Sequence, residues 1–302
     1  MFELNNLYDL KREVFGPVLH VIRYRANELD DLIDRINEKG YALTHGIHSR
    51  IDHTVKHIRS RIEAGNVYVN RNIVGAVVGV QPFGGHGLSG TGPKAGGSFY
   101  LQRLSRLTRW ALPKLTQLGT ADETALSKIQ AALHDLDVSA DVKLSLAGKL
   151  GQARVYTLRD AEMLLPSCTG ERNTLRWHAP KQVALYGGHV ANAFAALIEL
   201  AAAGVQVVVA ADSPLTAYQA KLGHILRVSN HLVGEPHIQT WVALDILPSE
   251  LSQQLAQRDG AIVRVIDARW GLDMARVYEE ISCSINTTAA GGNASLMAIS
   301  DK

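Results

Sequence analysis

Leu43-Thr44-His45-Gly46-Ile47-His48, the run from Ile51 to Ala64, and Asn66-Val67-Tyr68-Val69-Asn70 read as strand, helix and strand, the repeating unit of an α/β sheet. The two short segments carry β-branched and aromatic residues, while apolar positions between them recur at helical spacing and Gly65 stands where a cap is expected. Working outward, Val18 to Tyr24 reads as a further strand and Leu29 to Glu38 as an amphipathic helix closed by Gly40. The result is a βαβαβ run. Right-handed crossovers of this kind build a parallel sheet with helices on its faces, and ligands of such sheets gather at the carboxyl ends of the strands.

Beyond Tyr100 the pattern changes. No strand signal appears up to Gly151, whereas Leu101, Leu104 and Leu107, and then Ile129, Leu133 and Leu136, follow helical spacing. A second α/β set is expected from Arg154-Val155-Tyr156-Thr157 onward. It comprises strand Gln182 to Tyr186, the turn Gly187-Gly188, helix Val190 to Ala203, strand Val205 to Ala211, helix Leu215 to Val228, a strand near Ile238 to Leu244, helix Ser249 to Gln257 and strand Ala261 to Asp267. The expected organisation is residues 1–100 as one α/β part, 101–150 as a helical connection, and 151–302 as a second α/β domain.

Composition narrows the function classes. With 302 residues, 46% hydrophobic and 20% charged, the chain has enough apolar material for a buried core. A formal charge of +2 gives no electrostatic reason to expect nucleic acid or an anionic membrane as partner. No run approaches the length of a membrane span and the polar start is unlike a signal peptide, so a cytoplasmic location is expected. Two cysteines, Cys168 and Cys283, form neither a disulfide framework nor a metal site, and no metal is expected.

Four features carry possible chemistry. Glu13, entering a strand ahead of Phe15-Gly16-Pro17, can accept hydrogen bonds from ribose hydroxyls while the ring flanks a flat heterocycle; the alternative is a solvated glutamate. The loop from Gly75 to Gly92 is rich in glycine, so its backbone N–H groups can approach a ligand, or it is simply a series of tight turns. His86 in that loop reads as a surface polar residue. Val183 to Ala193, with Gly187-Gly188 and Asp212 after the next strand, partly matches a dinucleotide fingerprint, but a third glycine is missing and His189 stands at a close-approach position.

Glu13-Val14-Phe15-Gly16-Pro17-Val18, Gly65-Asn66-Val67-Tyr68-Val69-Asn70, the glycine loop and Ser284-Ile285-Asn286-Thr287-Thr288-Ala289-Ala290-Gly291-Gly292-Asn293-Ala294-Ser295-Leu296-Met297 together resemble the final third of the aldehyde dehydrogenases. The likeness is nearest to the proline utilisation A family of bacterial flavoenzymes. It implies a parallel-sheet αβα remnant of an aldehyde dehydrogenase catalytic domain, followed by a Rossmann-like α/β domain that is non-catalytic and lid-like. It also implies an NAD-dependent oxidation of glutamate γ-semialdehyde in a parent that oxidises proline with FAD in another domain, and a homo-oligomer. By resemblance, Glu13 lies on the nicotinamide ribose and Phe15 near the nicotinamide ring. Gly75 and Ala76 then anchor the substrate's α-carboxylate, Phe83 packs on its aliphatic chain, and the closing motif seals a tunnel. Neither cysteine has the family's nucleophile context, so no catalytic residue is assigned, and the chain is expected to be inactive without the rest of its parent. Two other classes stand beside this one: an independent scaffold without chemistry, and a nucleotide-binding domain using Gly187 and Gly188.

Overall fold

A computed structural model describes residues 1–97, 99–104 and 114–288. The first elements are β1 (Phe2–Leu4), β2 (His20–Ile22), α1 (Leu29–Glu38), β3 (Tyr41–Ala42), β4 (Thr44–Ile47), α2 (Asp52–Arg61), β5 (Asn66–Val69) and β6 (His86–Gly87). There follow α3 (Tyr100–Leu104), α4 (Glu123–His134), α5 (Ala140–Val155), β7 (Glu162–Leu164), β8 (Glu171–His178) and β9 (Gln182–Tyr186). The remainder is α6 (Val190–Ala202), β10 (Gln206–Ala210), α7 (Gln219–Leu222), β11 (Leu226–Ser229), β12 (Thr240–Ala243), α8 (Ser249–Ala256), β13 (Arg264–Asp267), α9 (Met274–Val277) and β14 (Glu279–Asn286).

Two five-stranded sheets organise these elements. One runs β11-β10-β9-β12-β13 and is parallel throughout, the doubly wound order in which the chain reverses direction of growth beside β9. Helix α6 backs it with an almost uniformly apolar sequence, and Phe194, Leu197, Ile198 and Leu200 are fully enclosed, as expected of a helix buried on most of its circumference. The other sheet runs β4-β5-β14-β8-β7, with β4, β5 and β14 parallel and β8 and β7 antiparallel to their neighbours. Its core joins Ile33, Val55, Val67 and Val69 to Ile281 and Cys283, so residues more than two hundred positions apart share one apolar layer. The α/β class read from the sequence is the one found.

Several elements differ from expectation, each for an identifiable reason. Strand β2 is shorter than Val18 to Tyr24 and pairs with β1 rather than joining β4 and β5, because Phe2–Leu4 offers it a parallel partner. Helix α2 stops at Arg61, where Ile62 turns extended, so Gly65 is no cap. Gly65 instead permits close packing: a Cβ there would lie 2.1 Å from the carbonyl oxygen of Gly84. Arg154-Val155 ends a helix rather than opening a strand, since Ser139 caps α5 by accepting from Val142 N–H and burial of Leu146, Leu150 and Ala153 carries it through β-branched residues. The helix expected from Leu215 to Val228 breaks at Gly223, φ +59°, leaving short α7 and freeing Leu226–Ser229 to become β11.

Candidate functional site

The glycine loop leaves the carboxyl end of β5, where ligands of parallel sheets are met. Asn70, at φ 55°, turns the chain; its side-chain amide exchanges hydrogen bonds with both backbone groups of Ser49, at 3.0 Å each, which ties the ends of β4 and β5 together. Tyr68 then fixes the next bend by donating its hydroxyl to the carbonyl of Gly75 at 2.9 Å, while Arg71 lies over the Tyr68 ring at 5.1 Å. Gly75 is exposed with open space where a side chain would stand, and Ala76 is half-buried. Val74 and Val78 project into solvent, 81% and 97% exposed. The base of the loop is thus bonded to the sheet and its tip is bare.

Phe83 is half-buried and forms an isolated antiparallel bridge with Ala95, donating and accepting at 3.0 and 2.9 Å. Beneath this bridge Lys94 is almost wholly enclosed. Its ammonium donates to Asn66 Oδ1 at 3.0 Å and to the Gly84 carbonyl at 2.5 Å, and its backbone N–H donates to Glu280 at 3.1 Å. Desolvation pushes the Lys94 ammonium down to about 7, with Glu280 and Glu279 opposing the shift. A lysine whose folded pKa lies below its unfolded value costs least where both states are neutral and most where both are charged. Stability therefore falls as pH drops from the unfolded value toward 7 and is level below that. Unfolding by urea between pH 7 and 9 is expected to show stability rising by up to about 1.4 kcal/mol per pH unit from this group. Lys94→Met is expected to flatten that slope, and an unchanged slope would show that Lys94 takes up no proton on unfolding because it is already charged in the folded state.

Glu13 and Phe15 lie on the exposed segment before β2, with Phe15 94% exposed. The Glu13 backbone N–H donates to Tyr41 Oη at 3.2 Å, and Tyr41 in β3 pairs with Gly87 in β6, so this segment is linked to the glycine loop. His86 is not the surface residue expected. It is largely buried, 3.6 Å from a Glu279 carboxylate oxygen, because β6 is drawn against β3.

The cysteines are placed differently from one another. Cys168 is exposed. Cys283 does not lie outside the dehydrogenase-like part: it sits in β14 opposite Val67, buried, and desolvation pushes its thiol up. Both conditions oppose a nucleophilic thiolate there. At the turn after β9, the Gly188 N–H donates to Asp245 Oδ2 at 2.7 Å, so a carboxylate already occupies the donor that a phosphate would need. Among the described residues no group of three or more His, Cys, Asp or Glu is placed to hold a metal ion, and no helix is long and apolar enough to cross a membrane. Of the closing motif, Ser284–Asn286 ends β14; residues 289–302 lie outside the described residues.

Sequence reasoning passed over Arg71, Gln81 and Lys94. The available signal was a solitary charge between small residues in Gly92-Pro93-Lys94-Ala95-Gly96, a position where burial without a partner would be costly.

Comparison with known proteins gives a consistent pattern. Residues 5–109 match the model of the aldehyde dehydrogenase family. The "Bifunctional protein PutA" of Rhizobium meliloti is 42% identical over 327 residues, covering 99% of this chain and 25% of that protein. The protein of the same name from Escherichia coli (strain K12) is 38% identical, covering 99% and 24%. A "1-pyrroline-5-carboxylate dehydrogenase" of a Geobacillus species is 41% identical over 96 residues, 32% of this chain and 18% of the relative. The solved structure of proline utilization A from Corynebacterium freiburgense superposes with a TM-score of 0.63 over 94% of this chain and 26% of that one, at 22% identity, a likeness of fold. The chain spans about a quarter of the length of the PutA relatives it matches.

Proposed function

We propose that this chain, a homologue of PutA and of 1-pyrroline-5-carboxylate dehydrogenase whose residues 5–109 carry the aldehyde dehydrogenase match, acts as the terminal portion of a longer proline-oxidising polypeptide. Residues 1–100 supply cofactor- and substrate-contacting loops of an NAD-dependent glutamate-semialdehyde dehydrogenase, residues 101–150 connect, and residues 151–302 carry a non-catalytic, lid-like Rossmann-like sheet (β9 to β13) while lending β7, β8 and β14 to the sheet of β4 and β5. FAD belongs to a proline dehydrogenase domain elsewhere in that polypeptide, and the whole works in the cytoplasm as a homo-oligomer.

The observation that carries this reading is the contrast within the glycine loop, bonded to the sheet at its base yet bare at Val74, Gly75 and Val78. Exposed apolar side chains on a fixed support fit a surface completed by another part of the protein. The same holds for the Phe15 ring. Glu13 would accept hydrogen bonds from the nicotinamide ribose and Phe15 would flank the nicotinamide. The backbone N–H groups of Gly75 and Ala76 would hold the substrate's α-carboxylate, and Phe83 would pack along its aliphatic chain. Bound NAD would supply the hydride acceptor.

Glu13 provides the test. In the complete polypeptide, Glu13→Ala is expected to weaken NAD use by about 1.5–3 kcal/mol, the range for a hydrogen bond to a charged group. Steady-state kinetics with NAD as varied substrate measure it; unchanged values would remove Glu13 from the cofactor site. A nucleotide site at Gly188 is disfavoured by the Asp245 carboxylate, which would repel phosphate.

A further inference from the structure

Between the bare tip of the glycine loop and its base lies a buried polar cluster that the reading above does not use. Gln81, 5% exposed, accepts the Val77 N–H on its side-chain oxygen at 3.0 Å, closing the turn from Val77 to Gln81. Its amide nitrogen faces Glu171 Oε2 at 3.1 Å, Ser284 Oγ at 3.1 Å and Asn173 Oδ1 at 3.3 Å. Arg71, at the start of the loop, donates to Glu171 Oε1 at 2.7 Å and to Ser284 Oγ at 2.8 Å. Glu171 and Asn173 belong to β8 and Ser284 to β14, so every outer partner of Gln81 lies ninety positions or more beyond it.

We infer that Gln81 is a positioning residue through which β8 and β14 set the conformation of the loop bearing Gly75 and Ala76, so that the later strands shape a carboxylate-binding backbone as well as cover it. The physical case is one of preorganisation. Gly75 has no side chain and open space where one would stand, and an N–H donor is ordered at a cost on each binding event unless something else fixes its direction. Tyr68 fixes Gly75 from one side. Gln81 fixes Val77 from the other, and its own orientation is set by the carboxylate of Glu171, which Arg71 neutralises. Gln81, Asn173 and Ser284 are buried, so these members of the cluster have no ready alternative partner in water.

The inference rests on the anchor reading, and the test separates the two. In the complete polypeptide, kcat/KM is measured for glutamate semialdehyde and for a simple aldehyde of similar length without the α-carboxylate. Gln81→Met, close in volume but unable to bond, is expected to reduce the ratio of the two by about tenfold or more, chiefly through KM of the semialdehyde. Hydrogen exchange over residues 72–82 is expected to quicken alongside. Exchanging the two groups, Gln81→Glu with Glu171→Gln, returns an amide and a carboxylate to the same contact and is expected to recover part of the ratio, since Asn173 Oδ1 then faces an acceptor. A wild-type polypeptide without preference for the carboxylated aldehyde would overturn the anchor and this inference with it. A wild-type preference that Gln81→Met leaves intact would overturn the inference alone.

Discussion

Incubated alone with NAD and glutamate semialdehyde, the purified 302-residue chain is expected to form no NADH. Oxidising an aldehyde by this route requires a thiolate that attacks the carbonyl, a donor for the resulting oxyanion and a group that activates water for thioester hydrolysis. Cys283 fails on access and on charge: it is 3% exposed in the middle of a sheet, and burial raises its thiol. Cys168 is accessible but stands in the exposed turn between β7 and β8, where its own carbonyl accepts from Glu171 N–H at 3.0 Å. A rate above the buffer control, lost on Cys168→Ala or on Cys283→Ala, would overturn the assignment of the nucleophile to another part of the polypeptide.

The second large effect concerns substrate choice. Backbone donors are disabled only by altering the conformation or access of the segment that presents them. Ala76 is half-buried beside the open Gly75, so Ala76→Val places two branched carbons where the α-carboxylate would approach and restricts the local backbone. In the complete polypeptide this is expected to lower kcat/KM for glutamate semialdehyde by about 10²-fold, the scale of a misplaced reactant, with a much smaller effect on an aldehyde lacking the carboxylate. Phe83→Ala is expected to behave differently, since it removes apolar contact along the chain that both aldehydes share. Equal losses for both aldehydes in Ala76→Val would mean that the loop carries no carboxylate anchor.

The legible parts of the fold are those where local chemistry and tertiary packing agree. Helix α1 matches its expected limits because an apolar stripe ending in Ile36 and the stop at Gly40 point the same way. Strands β5 and β9 and helix α6 are legible because continuous apolar runs between turn residues suit a buried parallel sheet. Strand β8 escaped because Glu171-Arg172-Asn173-Thr174-Leu175-Arg176-Trp177-His178 is rich in charge. Its charges are satisfied by distant partners, Glu171 by Arg71 and Arg176 by the carbonyl of Arg59, which no local pattern encodes.

The candidate site divides along the same line. The motif around Glu13 and the glycine loop are contiguous in sequence, and a resemblance can find them. The supports are not contiguous. Gln81 meets Ser284 across 203 positions and Lys94 meets Glu280 across 186, so their roles exist only once β14 has entered the sheet beside β5. The burial of His86 follows from β3 pairing with β6, and that of Cys283 from β14 pairing with β5.

The central proposal is that these 302 residues work as one part of a longer polypeptide. Its most direct test is the intact mass of the native protein, captured from its own cells through the residues of α4 and α5. The account predicts a single polypeptide several times the mass of this chain. A native product of 302 residues would contradict it.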